Sequence, residues 1–162
     1  MYKIGFGNDI HRLVTGKPLI LGGVSIPADK GAIGHSDADA LLHAVTDAIF
    51  GALALGDIGS HFSDLEERWK NAESSAFLRY AVGLIKEKGY AAANVDAVVS
   101  LEIPKLRPHI DKMRENIAQI LEIDISRVSV KAKTGEGVDA VGRHEAVKAE
   151  AVILLEKVEA NG

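Results

Sequence analysis

Asp9 and His11 stand two residues apart in "GFGNDIHRL", and "GHSDADALLHAVTD" then crowds His35, Asp37, Asp39, His43 and Asp47 into one short stretch. A strand's period of two puts Asp9 and His11 on one face. A carboxylate oxygen and an imidazole nitrogen at that spacing can bind the same ion. A third ligand from a neighbouring element would complete a zinc site with three protein ligands and an open fourth position, the arrangement of catalytic zinc. His43 is the candidate: on a helical wheel it falls on the flank of the apolar stripe. Asp39 and Asp47 lie four residues to either side, and either could accept the other ring N–H of His43. A structural reading fits the same residues. Ser36 or Asp37 can cap the helix, acids in its first turn suit its partial positive charge, and Asp39 and His43 lie one turn apart. D-x-H is a common chance pair, so spacing leaves both readings open.

Other segments carry polar groups between glycines. "GDIG" (Gly56 to Gly59) and "HFSD" (His61 to Asp64) place carboxylates in a loop directly after that helix. "KAKTGEG" (Lys131 to Gly137) offers backbone N–H groups, Lys133, the Thr134 hydroxyl and Glu136: a phosphate cradle with a carboxylate for a divalent ion. "IPKLRPH" (Ile103 to His109) sets two cations in a proline-stiffened loop. Each alone reads more readily as a plain turn or connection. Trp69 reads as a packing residue, and His61, His109 and His144 as surface or structural ones.

The elements that must position these groups follow from periodicity. "YKIGFGNDIHRL" alternates, with Tyr2, Ile4, Phe6 and Ile10 on one face and Gly5, Gly7, Asp9 and His11 on the other. Gly5 and Gly7 mark a close approach of ligand or backbone. "KPLILGGVSIP" predicts a hairpin turning at Gly22-Gly23. A helix follows, its buried stripe running through Leu41, Leu42, Val45, Ile49 and Leu53. "ESSAFLRYAVGLIKEK" predicts a helix stopped by Gly89, and "NVDAVVSLEI" a β-branched strand. "HIDKMRENIAQILEI" predicts an amphipathic helix. "RVSVKAK" alternates as a strand, and "HEAVKAEAVILLEKV", ambiguous in period, leans to strand through Val152 and Ile153. The order implies an α/β sandwich, one sheet with helices on one face. Its bare face calls for a second copy of the chain.

The 162 residues fit one domain over 1–162. A net charge of −4 without a dense basic run argues against nucleic-acid or anionic-membrane surfaces. Without cysteine, any transition-metal ligands must be His, Asp or Glu. The N-terminal stretch lacks an apolar signal core and no apolar run approaches a membrane span. A cytoplasmic enzyme or binding protein is expected.

Taken in order, "IGFGNDIHRL", "PLILGGVSIP", "GHSDADALLHAVTDAIFGALALGDIGSHFSD", "NVDAVVSLEIPKLRPHIDKMRENIA" and "VSVKAKTGEGVDAVGR" resemble the 2-C-methyl-D-erythritol 2,4-cyclodiphosphate synthase family over nearly the whole chain. The resemblance implies an α+β sandwich with one mixed sheet, three such sheets packing around a three-fold axis in a homotrimer. It implies zinc, or another transition divalent ion, on Asp9, His11 and His43, with a substrate phosphate oxygen as fourth ligand. His35 and Ser36 would touch the transferred region, His35 helping to stabilise the transition state. Asp57, Ile58 and Gly59 would hold the methylerythritol, with Phe62 and Asp64 closing that pocket. The cytidine pocket would come from Leu101, Lys105, Leu106 and Arg107 together with Ala132, Lys133, Thr134 and Glu136. Thr134 would contact phosphate, and Glu136 would bind magnesium or manganese.

The implied activity is that of a metal-dependent phosphorus–oxygen lyase of the methylerythritol phosphate route to isoprenoids. The substrate's own 2-phosphate attacks its β-phosphorus and CMP leaves. Departures from the commoner family pattern are Lys133-Thr134-Gly135-Glu136 where many members carry more hydroxyls, Ser63 for a frequent proline, Phe6 for a frequent histidine, and "GVDAVGR", which lacks the usual aromatic ahead of its arginine, Arg143. The last two line the trimer's central channel, where some members bind isoprenoid diphosphates and Arg143 could hold a diphosphate. Two rival readings use the same residues: a zinc-dependent hydrolase of nucleoside diphosphate derivatives, and a non-catalytic trimer that binds isoprenoid diphosphates. A degenerate binder should have lost one of Asp9, His11, His43, Asp57 or Glu136, and all five are present.

Overall fold

The computed structural model describes residues 1–63 and 65–158. Strand β1 (Tyr2–Thr15) opens the chain, followed by the short strands β2 (Leu19–Leu21), β3 (Val24–Ile26) and β4 (Lys30–Ala32). Helices α1 (Ala40–Leu53), α2 (Ile58–His61) and α3 (Ser74–Glu87) come next. Strand β5 (Tyr90–Ser100), helix α4 (Ile110–Leu121) and strands β6 (Val128–Lys133) and β7 (Ala146–Lys157) complete it. The main sheet runs β4-β1-β7-β5-β6, and β2-β3 form a separate hairpin. The β5–β6 pair is parallel and the other pairs antiparallel, so the sheet is mixed. The ambiguous tail is a strand paired between β1 and β5, with Val147 and Ile153 buried and Val152 turned to the exposed face.

Two glycines decide where α1 lies. A Cβ on Gly5 would stand 1.8 Å from the Ala48 carbonyl oxygen, and one on Gly7 2.1 Å from that of Ala44. The backbone of α1 therefore rests directly on β1, with alanines at the contact. Only Asp47 and Gly51 of α1 escape burial, because α3 covers its other side. The opposite face of the sheet carries Tyr2, Ile4, Phe6 and Ile10, 57–71% exposed. The alternation expected of β1 is thus present, with its apolar side chains facing out and its glycines facing in.

Asp39 is the N-cap of α1, where sequence reasoning had offered Ser36 or Asp37. Its Oδ1 accepts the N–H of Leu42 at 3.0 Å and of Gly22 at 2.9 Å, and its Oδ2 that of Gly23 at 2.7 Å. One carboxylate thereby satisfies the helix end and both turn amides of the β2–β3 hairpin. Gly22 and Gly23 have φ of +60° and +71°, the pair a two-residue type I′ turn requires. Burial pushes the Asp39 carboxyl up to about 6, against the pull of the three N–H donors. The loop expected after α1 contains the short helix α2, capped by Asp57. Among the described residues no helix is long and apolar enough to cross a membrane.

Candidate metal centre

The Asp9–His11 pair on β1 faces His43, one turn into α1. Asp9 Oδ2 lies 2.7 Å from His11 Nε2 and 2.8 Å from His43 Nδ1, and the two nitrogens are 3.2 Å apart. Tetrahedral zinc with ligand bonds of about 2.0–2.2 Å separates its ligand atoms by roughly 3.3–3.5 Å. The two edges at Asp9 need to open by roughly 0.5–0.8 Å and the edge between the histidines by roughly 0.1–0.3 Å to fit, and the atoms are of the types zinc prefers. His11 Nδ1 lies 2.9 Å from the Ile33 carbonyl oxygen. A carbonyl only accepts, so that nitrogen carries the proton and Nε2 is the atom left to bind an ion.

Burial works to raise the Asp9 carboxyl, but hydrogen bonds and charge from His11 and His43 outweigh it and hold it far below the usual carboxylate range. Burial also disfavours the charged form of His11, yet the hydrogen bond and charge of Asp9 win and raise its pKa. Without an ion, the site is an ion-paired cluster.

A cavity of about 240 Å³ opens on the triad, lined also by Gly34, His35, Ser36, Ile58, Gly59, Phe62, Trp69 and Phe77. A larger hollow of about 350 Å³ lies between the hairpin, α3 and α4. The triad still marks the smaller one, since three converging metal-type donors are a rarer feature than a surface hollow. Phe62 stacks on Phe77 with centroids 4.3 Å apart, and Trp69 meets Phe62 edge-on at 5.0 Å, forming an aromatic wall. Trp69 packs as expected, though sequence reasoning did not place it at the site; its only signal was being the sole tryptophan. Phe77 was also missed, and so was Ser74, whose Oγ lies 2.8 Å from His43 Nε2, because a helix start such as "ESSAF" reads as an ordinary cap. His35 Nε2 is 3.3 Å from the Glu66 carbonyl oxygen, which ties the 34–37 loop to the segment after α2.

Other expected site residues are distributed as follows. Asp57 does not line this cavity: its Oδ1 accepts the N–H and hydroxyl of Ser60 at 2.9 and 2.6 Å, and those bonds lower its pKa. Asp64 lies outside the described residues. Neither Asp39 nor Asp47 meets the His43 ring, a correction to the expected partners. Asp39 caps α1, and Asp47 accepts the Ile58 N–H at 2.6 Å.

The second group gathers at the end of β6. Arg107, Ala132 and Lys133 line a cavity of about 280 Å³ with Ile110, Val130 and Lys131. Leu101 and Leu106 are buried beside it while Lys105 is exposed, and the Leu101 N–H reaches the Lys133 carbonyl at 2.9 Å. The Thr134 hydroxyl donates to Glu136 at 2.8 Å, so both groups stand together at the loop tip. The Arg143 guanidinium is engaged by the Glu145 carboxylate, with both contacts at 3.3 Å. Register places the two groups level with each other: Asp9 pairs with Ala149, Ala149 with Val99, and Val99 with Ala132. They nevertheless stand three strand spacings apart, roughly 14 Å at about 4.8 Å each.

The YgbB family model matches residues 2–156. A Salinibacter ruber protein named 2-C-methyl-D-erythritol 2,4-cyclodiphosphate synthase is 58% identical over 154 residues, 95% of this chain and 98% of that one. A CDP-bound structure of 2C-methyl-D-erythritol-2,4-cyclodiphosphate synthase superposes with a TM-score of 0.89 at 40% identity, covering 95% of this chain and 100% of that one. The bifunctional IspDF from Campylobacter jejuni superposes at 0.93 with 37% identity; the match covers 98% of this chain and 43% of that longer one.

Proposed function

The chain belongs to the YgbB family, and from that premise we propose that it converts 4-diphosphocytidyl-2-C-methyl-D-erythritol 2-phosphate to 2-C-methyl-D-erythritol 2,4-cyclodiphosphate and CMP. It is a metal-dependent phosphorus–oxygen lyase. The observation that carries this reading is the convergence of Asp9, His11 and His43 at the mouth of one cavity. Asp9, His11 and His43 would hold zinc, and Glu136 a magnesium or manganese ion. Ions at those positions would supply Lewis acidity to the phosphoryl oxygens and offset repulsion between two anionic groups.

An oxygen of the substrate's 2-phosphate forms the new bond to the β-phosphorus, and the bond to the CMP oxygen breaks with its electron pair leaving on CMP. No side-chain nucleophile is required, so the protein's work is to hold one flexible molecule folded in attack geometry. His35 and Ser36, beside the triad, bear on the transferred region. Ile58, Gly59 and Phe62 shape the methylerythritol end, together with Asp57 from the start of α2. Arg107, Ala132 and Lys133 receive the cytidine and its phosphate, the two cations meeting the charge of the leaving group. Thr134 donates to phosphate once Glu136 turns to its ion.

A homotrimer in a cytoplasmic setting completes the proposal. The exposed apolar face of β1 supports it, and so does the gap of roughly 14 Å between the two residue groups, three strands of about 4.8 Å apart. Packing subunits around a three-fold axis brings one chain's triad to a neighbour's cytidine pocket. Phosphorus NMR of the protein with this substrate, zinc and magnesium tests the chemistry. CMP accompanied by the paired doublet of a cyclic diphosphate is expected; CMP with only linear phosphate products would make the chain a hydrolase instead.

A further inference from the structure

His43 turns Nδ1 to the triad and its other nitrogen, Nε2, into the protein. There Nε2 lies 2.8 Å from Ser74 Oγ. Ser74 is fully buried and is the first residue of α3. Its hydroxyl also bonds to Asp37 Oδ1. Asp37 Oδ2 accepts the Ser74 N–H at 3.1 Å, and Oδ1 accepts that of Asp39 at 3.2 Å. Ser36 Oγ stands 3.1 Å from the same Nε2 and accepts the Ala38 N–H at 3.2 Å.

Counting protons gives this chain of contacts a direction. A serine hydroxyl has one proton to donate and two lone pairs. Asp37 acts only as an acceptor, each oxygen already taking a backbone N–H, so the Ser74 proton belongs to it. What Ser74 offers His43 is a lone pair. A bare Nε2 would face that lone pair with only the Ser36 hydroxyl to donate; the Ser74 contact is the shorter, 2.8 against 3.1 Å, and favours a hydrogen on Nε2, which leaves Nδ1 to bind an ion. Capping explains part of the arrangement, since Glu73, the N-cap residue of α3, makes no side-chain cap bond and Asp37 covers the Ser74 N–H in its place. Capping does not explain why the buried hydroxyl faces an imidazole.

We propose that Ser74 and Asp37 are positioning residues for the metal centre: Asp37 orients the Ser74 hydroxyl, which accepts from His43 Nε2–H and holds Nδ1 available to the ion. The proposal rests on the metal reading above. It assigns to Ser74 and Asp37 the part that spacing alone had offered to Asp39 or Asp47. Partners of this kind fix ring orientation and tautomer, and their loss typically weakens metal binding about 10–100-fold.

The test uses zinc alone, titrated into the full chain in competition with a chromophoric chelator, with nitrogen NMR of the histidine rings. Zinc-loaded wild type should show His43 bound through Nδ1, with a slowly exchanging Nε2–H. Ser74→Ala should weaken zinc about 10–100-fold and speed exchange of that proton, while the metal-free protein keeps its melting temperature within a few degrees. Asp37→Ala should weaken zinc in the wild-type background but add little to Ser74→Ala, since both act through one contact. If Ser74→Ala does not fold, the wild-type spectrum still decides, because ligation through Nε2 overturns the relay. Zinc affinity within twofold of wild type and an unchanged Nε2–H in Ser74→Ala overturn the relay alone. A wild-type chain that takes up no zinc overturns the metal reading and the relay with it.

Discussion

Asp9, His11 and His43 are held together by opposing tendencies, and proton uptake measures the balance. In the metal-free protein Asp9 titrates below its ordinary 3.8, so its stabilisation is present above that pH and is lost as pH falls through the folded value. His11 titrates above its ordinary 6.5, so its stabilisation is complete below that pH and is lost as pH rises through the folded value. The triad therefore helps the metal-free fold most between about pH 4 and 6.5. Zinc binding follows the opposite course at the upper end, because the imidazoles must give up their protons. Melting temperatures taken with zinc and with a chelator from pH 6 to 8 should diverge as pH rises. A constant or narrowing gap would count against the ligand assignment.

Among the elements, the contact between β1 and α1 carries the site, since one bears two ligands and the other the third. Gly7→Ala would drive a methyl into the Ala44 carbonyl, where the built Cβ stands 2.1 Å away, and the helix would have to lift off the strand. The expected cost is about 3 kcal/mol or more in urea unfolding of the metal-free chain, with zinc uptake lost at the same time. Retained zinc affinity would mean that α1 tolerates displacement. The other end of α1 points the opposite way. Ala54 closes the helix with φ of +56°, a left-handed conformation that a Cβ disfavours, while the Leu55 N–H reaches back to the Phe50 carbonyl at 2.9 Å. Ala54→Gly relieves about 1–2 kcal/mol of strain and loses about 0.5–1 kcal/mol to chain entropy. A net gain of about 0.5 kcal/mol or slightly more is expected, read as a higher urea midpoint with unchanged turnover.

For the whole molecule, the decisive surface is the outer face of the sheet. Ile4 is 71% exposed and Phe6 57% in a single chain, an apolar stripe along β1 that water would disfavour. Ile4→Asp places a charge in that stripe without touching the triad on the other face. Light scattering should find the wild type as a trimer and the variant as a monomer or a concentration-dependent mixture. Zinc uptake should survive in the variant, while turnover falls to a small fraction, because in the proposed trimer the triad and the cytidine pocket that act together would belong to neighbouring chains. A monomeric variant with full turnover would show that one chain holds a complete site.

Periodicity and residue type alone determined much of this protein. The alternation of β1, the stop at Gly89, the turn at Gly22-Gly23 and the facing of Asp9 with His11 are local consequences of backbone geometry. Gly5 and Gly7 announced a close approach without naming what approaches. Choosing among Asp37, Asp39 and Asp47 required tertiary structure, because all three stand within a turn or two of His43 and differ only in which way they point. Asp39 turned to the hairpin, Asp47 to α2, and Asp37 to Ser74, a residue thirty-seven positions away. Spacing encodes which groups can share a face of one element. The aim of a side chain across two packed elements depends on where their backbones come to rest, and here two missing methyl groups decide that.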